Sequence, residues 1–251
     1  MPTFIHGKDT AVYIDEFDLS SYFTSADTSI NNSIAETTAY GATDASFIMG
    51  IRSGTLSLSG MWAGDTDGSD EELQALLGNA TTPVITVREG SASIGSGAIV
   101  AQANETSYAI SSPVADVSTV TADFECSTNN TTNLTFALAS GVQLTAGASI
   151  AHGSLGNLSS VDNSASSANG GAGTLHVPTN TISGGVTTIK IQHSANNSTW
   201  ADLITFTNVS ASTKTSEIKA VSGTVNRYLR ATASTAGSSG SITFMIAFAR
   251  F

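Results

Sequence analysis

Four histidines, one cysteine and twenty acidic residues are this chain's stock of groups for chemistry. His6, His152, His176 and His193 are scattered. No two lie at i, i+2 or i, i+4, the spacings that bring imidazoles together on one metal. Cys126 is alone, so neither an internal disulfide nor a cysteine zinc site can form. It alternates with Val120, Ala122 and Phe124 and reads as a small core residue. Asp65-Thr66-Asp67-Gly68-Ser69-Asp70 has the outline of a calcium loop. The third acid is misplaced, however, and the bidentate glutamate at the twelfth position is missing, so an Asp-Gly turn entering a helix explains it better. Asp123 and Glu125 share a strand face, as glycosidase acids sometimes do. In a chain this acidic, a solvated face is the simpler reading. His193 follows Ile189 and Ile191 on a core face and reads as a packed histidine. Trp200 precedes Leu203, Ile204 and Phe206 and reads as a sandwich-core tryptophan rather than a sugar-stacking platform. G-x-S-x-G and G-x-x-x-x-G-K-[ST] are both absent. The expectation is a protein with no catalytic residues, no metal and no cofactor.

Charge is distributed unevenly. Residues 1–125 carry seventeen acids against Lys8, Arg52 and Arg88, a formal −14. Residues 126–251 carry Asp162, Asp202 and Glu217 against six bases, a formal +3. An acidic half grips nucleic acid poorly, because such binding relies on Lys and Arg displacing counterions. It can still form a surface that a polyanion slides past. Only 12% of residues are charged, about half the usual share of roughly 25%. Ser, Thr, Ala, Gly and Asn fill the gap, a turn-rich and β-prone composition. No basic region followed by an apolar run opens the chain, and no stretch approaches 18 apolar residues. The expectation is a protein made in a cytoplasm, with no membrane partner.

These residues must be positioned mainly by short strands. Val12 and Ile14 alternate, and phase slips at Asp15-Glu16 before Phe17 and Leu19, which predicts a tight hairpin. A polar strand runs from Thr24 to Thr38, a loop or hairpin tip spans Ala39–Ala45, and the clearest strand is Thr55–Trp62. One helix is predicted. Ser69 and Glu72 form a capping box, Leu73, Leu76 and Leu77 one apolar stripe, and Gly78 the stop. Strands follow at Pro83–Arg88, Ala98–Ala103, Tyr108–Ile110 and Val117–Cys126, with more within Leu134–Thr145. Residues 151–174 are Gly-, Ser- and Asn-rich and read as a linker or a long surface loop. A second β pattern closes the chain with Ile242, Phe244, Ile246 and Phe248. The fold class is all-β with one short flanking helix. The expected domains are a β-sandwich over 1–145 and a second, Ig-like or similar sandwich over 146–251.

The order of these elements resembles the major tail (tail tube) proteins of long-tailed bacteriophages. The resemblance lies in A-V-Y-I-D-E-F-D-L-S, a polar strand into E-T-T-A-Y-G, R-S-G-T-L-S-L-S-G-M-W, and the helix E-E-L-Q-A-L-L-G. I-K-I-Q-H-S-A-N-N-S-T-W-A-D-L, R-Y-L-R-A and F-M-I-A-F-A-R-F resemble the outer C-terminal β domain of some of these proteins. The combination covers about two-thirds of the chain, and residues 127–175 match nothing in the family pattern.

The resemblance implies a tail-tube-type β-sandwich plus a C-terminal sandwich. Subunits would close into rings, usually six-fold, that stack into a tube conducting DNA during ejection. An N-terminal arm and a long loop between strands help stacking. Here these are Met1–Lys8 and about Glu36–Ile51, giving the interface candidates Phe4, Ile5, Tyr40, Phe47, Ile48, Met49 and Ile51. For the apolar run Ser46–Ile51, an assembly anchor and a buried strand end are both open. Candidate channel acids are Asp27, Glu36, Glu105, Asp116, Asp123 and Glu125. Implied partners are further copies of the chain, the tape-measure, tail terminator and distal tail proteins, and double-stranded DNA in transit without specific binding. The implied location is the virion tail, after synthesis in a host bacterium. The rival readings are a capsid decoration or neck component, and a carbohydrate-binding or adhesive β module.

Overall fold

The expected alternation builds an all-β fold with one α-helix, in a computed structural model that describes residues 6–128 and 134–251. The front half contributes β1 (Ala11–Ile14), β2 (Phe17–Asp18), β3 (Phe23–Glu36), β4 (Phe47–Met61), α1 (Ser69–Leu76), β5 (Val84–Arg88), β6 (Gly97–Ser111) and β7 (Thr119–Cys126). Asp15 takes a positive φ of 46° in the β1–β2 hairpin, where the sequence places the turn.

β6 connects two sheets. Its first half pairs with β5, which pairs with β1. Its second half pairs with β7, which pairs with β4, which pairs with β3. A bulge between Glu105 and Ser107 marks the change. The sequence suggests two separate strands here because a bulge breaks the period-2 pattern while the strand continues. Val12, Ile14, Ile85, Val87 and Ala101 face Leu56, Leu58, Val120, Ala122 and Phe124 across the sandwich, and Leu73 of α1 closes one side. Each fully buried large aliphatic or aromatic side chain here contributes about 1.5–3 kcal/mol. Gly60 is required where β3 meets β4: a Cβ there would sit 2.1 Å from the Tyr22 carbonyl oxygen.

The helix starts one residue earlier in its capping frame than expected. Gly68, not Ser69, is the N-cap. Ser69 is buried, accepting from the Ala63 N–H at 3.0 Å and donating to the Met61 carbonyl at 3.1 Å, so its hydroxyl ties the helix to β4. Asp70, Glu71 and Glu72 fill the first turn, and Gly78 adopts φ +78° beyond the C-cap Leu77.

The back half contributes β8 (Leu138–Gln143), β9 (Ser149–Ala151), β10 (Val161–Asp162), β11 (Gly171–Asn180), β12 (Val186–Ser194), β13 (Ala201–Thr205), β14 (Val209–Ser210), β15 (Thr215–Val221), β16 (Tyr228–Thr235) and β17 (Ser241–Arg250). β15, β11, β17 and β8 form one sheet, and β10, β16, β12, β13 and β14 the other. Leu175, Val177, Ile189, Ile191, Leu229, Phe244, Ile246 and Phe248 fill the space between them.

The halves are joined by a continuous sheet, because β8 pairs with both β6 and β17. Ala11, Val84, Ala98, Val100 and Ala139 pack with Ala172, Met245, Ala247 and Ala249 at the junction. The 151–174 stretch follows the outer sheet and is pinned by bridges from Asn157 to Thr232 and Ser167 to Val225. It is not a free linker: it also holds β10, and Gly171–Thr174 are the buried start of β11.

Candidate assembly surface

Cross-strand register decides which side chains share a face. On β7, Val120, Ala122 and Phe124 point into the core, so Thr121, Asp123 and Glu125 point away. Asp123 lies opposite Ser57, which lies opposite Asp27. Glu125 lies opposite Thr55, and Thr55 opposite Ser29. The outer face of the β3–β4–β7–β6 sheet is therefore a field of hydroxyls carrying Asp27, Asp123 and Glu125. The Ser57 hydroxyl donates to Asp123 Oδ1 at 2.6 Å, and the Ser25 hydroxyl to Asp27 Oδ2 at 2.7 Å. Arg52 is the only basic residue on these four strands. It turns the other way: its guanidinium lies 3.9 Å from the centre of the Phe136 ring and donates to the Leu138 carbonyl at 2.8 Å.

The remaining acid candidates lie elsewhere. Glu36 is exposed near the end of β3, and Asp116 is exposed in the β6–β7 connection. Glu105 is a correction: it is only 6% exposed, so it cannot be presented to a channel by this subunit. It alternates with Ala101 and Ala103 and lies opposite Phe124, so its side chain is on the core side, and the bulge comes only after it. Neither carboxylate oxygen has a hydrogen-bond partner. Burial pushes its carboxyl up to about 8, so it holds a proton at neutral pH.

β3 and β4 project as a two-stranded ribbon past the rest of the sheet. β4 pairs with β7 only from Thr55 to Met61, whereas β3 and β4 stay paired out to Glu36 and Phe47. Along the ribbon Phe47 and Met49 share one face, with Ile34 opposite Met49, and a bulge in β4 between Met49 and Arg52 interrupts the alternation at Ile51. Met49 is 68% and Ile51 84% exposed. Tyr40 and Ile48 are exposed as well. From Phe47 to Ile51 the run is thus strand rather than loop, and it is exposed rather than a buried strand end. Phe4 and Ile5 lie outside the described residues.

β3 also exposes an edge. It has a single hydrogen-bonded neighbour, β4, among the described residues. The second half of β6, beyond Gln102, is likewise paired only with β7. Long strands with free edges and no proline or lysine are templates for pairing with another chain.

Other residues flagged by the sequence are accounted for by packing. Cys126 is partly buried against the front core, and burial with Glu125 nearby pushes its thiol up to about 12. His193 accepts from the Asn226 N–H at 3.2 Å, and burial lowers its basicity. Trp200 is a correction: it is half-exposed, with the Arg230 guanidinium 4.1 Å from its ring centre. The polar turn before it ends short of the core, and Ile204 and Phe206 enter the core instead. Asp70 accepts a hydrogen bond from Tyr108, which holds it below the usual carboxylate range. No group of three or more His, Cys, Asp or Glu residues is placed to hold a metal ion among the described residues. An open concavity of about 620 Å³ is lined by residues including His6, Lys8, Thr10, Phe23 and Glu89. No helix among the described residues is long and apolar enough to cross a membrane.

Sequence patterning missed His176. It is fully buried between the two halves. Its Nδ1 lies 2.6 Å from the Asp15 carbonyl, an obligate acceptor, so Nδ1 carries the proton. Its Nε2 then accepts from the Thr86 hydroxyl at 2.8 Å, and Thr86 from Thr174 at 2.7 Å. Burial holds the imidazole down to about 4. His176 is a structural clasp between β11 and the β1–β5 region.

No family model matches the chain, and no curated protein matches it. Its neighbours among solved structures are virion and tail proteins. One is from the virion of a native gene transfer agent (GTA) particle, at 14% identity over 49% of this chain and 93% of that one, with a TM-score of 0.41. Another is from the tail of an empty GTA particle with C6 symmetry, at 15% identity over 49% and 93%, with a TM-score of 0.38. A third is SPP1 Dit (gp 19.1), titled a paradigm of the hub adsorption apparatus in Gram-positive infecting phages. It matches at 15% identity over 96% and 99%, with a TM-score of 0.35.

Proposed function

We propose that this chain is a structural virion protein whose copies join into stacked rings, six-fold by family resemblance, forming a phage tail tube. One observation carries this reading: a ribbon of fourteen- and fifteen-residue strands that displays Phe47, Met49 and Ile51 to solvent. A two-stranded ribbon with an uncovered apolar face is marginal alone and is satisfied by further protein. The free edges of β3 and of the second half of β6 lie on opposite sides of one sheet. Pairing one with the other, copy to copy, closes a ring without leaving an edge.

Such a ring turns one sheet face inward. With the Asp27–Asp123–Glu125 face inward, the bore is acidic and rich in hydroxyls. Phosphates then meet like charge and no Lys or Arg, so DNA passes without binding. The two halves act as inner and outer layers, and no residue is assigned a catalytic role. Electron microscopy of the purified protein tests the reading. Rings or tubes are expected, and monomers at every concentration would overturn it.

The half-exposed Trp200 supports the rival reading of a carbohydrate-binding β module. It stands on a polar sheet face with Gln192, Asp202 and Arg230. Binding of glycans by monomers, without assembly, would favour that alternative.

A further inference from the structure

The exposed apolar side chains of the front half fall into two groups. One is on the ribbon, where Ile34, Phe47 and Met49 share a face and Ile51 is exposed at the bulge beside them. The other comprises Met61, Trp62, Ile110, Val114 and Val117. Register brings the second group together. Thr119 lies opposite both Met61 and Ser111, and the Trp62 N–H donates to the Ser118 carbonyl at 3.0 Å. The end of β4, the end of β6 and the start of β7 therefore converge on one rim, in which Val114 is fully exposed. β4 runs from the ribbon to this rim, so the two patches sit at opposite ends of one sheet.

We propose that the ribbon of one copy seats on the Trp62–Val114–Val117 rim of the next copy. This rests on the assembly reading above and names the ribbon's partner. A contact between two different patches of the same chain is heterologous, so it repeats without closing and gives a polar filament. A ribbon-to-ribbon contact would close after two copies and leave every rim bare. The head-to-tail contact covers both patches with one interface. It also sets the scale of the spacing of copies along the filament. An extended strand rises about 3.3 Å per residue, so Met49 to Met61 spans at most about 40 Å. The axial repeat is then of about this order, lengthened only by the ends of the two patches and the thickness of the contact.

Thiol cross-linking tests this. Met49→Cys, Val114→Cys and Val117→Cys alter exposed positions. The native Cys126 is partly buried, so the variants are made in a Cys126→Ala background that leaves a bis-maleimide only the introduced thiols. Mixing Met49→Cys with either rim variant is expected to give covalent dimers. Each variant alone is expected to give none, and the double variant Met49→Cys/Val114→Cys a ladder of higher oligomers. Dimers of Met49→Cys alone would overturn the proposal in favour of a symmetric ribbon contact. Tubes that form but never cross-link ribbon to rim, or whose repeat is well above 40 Å, would overturn the rim assignment and leave the tube reading standing. No assembly by microscopy would overturn both.

Discussion

Glu105 and His176 are the two buried titratable side chains whose environments shift them furthest toward neutrality, and they pull stability in opposite directions with pH. The Glu105 carboxyl rises to about 8 in the fold, above its ordinary value of 4.5. The folded state keeps a proton that the unfolded chain releases. Its contribution is therefore fully present below about 4.5 and is lost as pH rises through about 8. Glu105→Gln removes this dependence. The stability of the variant relative to the parent should grow from pH 5 to pH 9, by on the order of a few kcal/mol, in urea unfolding at each pH. His176 behaves the other way. Its folded value of about 4 lies below the ordinary 6.5, so its contribution is present above 6.5 and lost as pH falls through about 4. His176→Ala also strands the Asp15 carbonyl and Thr86, and should cost roughly 2–4 kcal/mol in the same measurement. Neither role was legible in the sequence. His176 meets its partners 161 and 90 residues away, and no local spacing encodes that. Glu105 reads as one surface acid among many until its register opposite Phe124 is seen.

At the scale of elements, local chemistry was largely legible. The hairpin at Asp15, the first-turn acids of α1, the stop at Gly78 and the alternating strands stand where turn residues and period 2 place them. The pattern failed where strands bend or leave the body. β6 reads as two strands because of its bulge, and the start of β4 reads as loop because its apolar residues face water. A strand whose apolar side is exposed looks like an error in patterning and is the signature of a missing partner. Phe47→Ser/Met49→Ser/Ile51→Ser should accordingly leave the monomer folded. Each exposed change shifts stability by no more than about 0.5 kcal/mol. The same triple variant should lose assembly. Circular dichroism melts and sedimentation velocity check the two halves of this expectation.

At the scale of the whole molecule, the uneven charge and the two apolar patches act together. Glu36 and Asp44 flank the ribbon, and Asp116 lies between Val114 and Val117 at the rim. Contacts between copies, as proposed, would bury apolar surface against like-charge repulsion. Salt shortens that repulsion to about 8 Å at physiological ionic strength and about 3 Å at 1 M. Assembly should therefore strengthen as salt rises, seen as a larger sedimenting fraction, and a decline with salt would oppose this balance. Cryo-electron microscopy of concentrated protein tests the central claim most directly. The account predicts hollow tubes of uniform width whose bore presents Asp27, Asp123 and Glu125. Particles that remain single in every condition, or a bore lined by Arg52, Arg88 and Lys190, would contradict it.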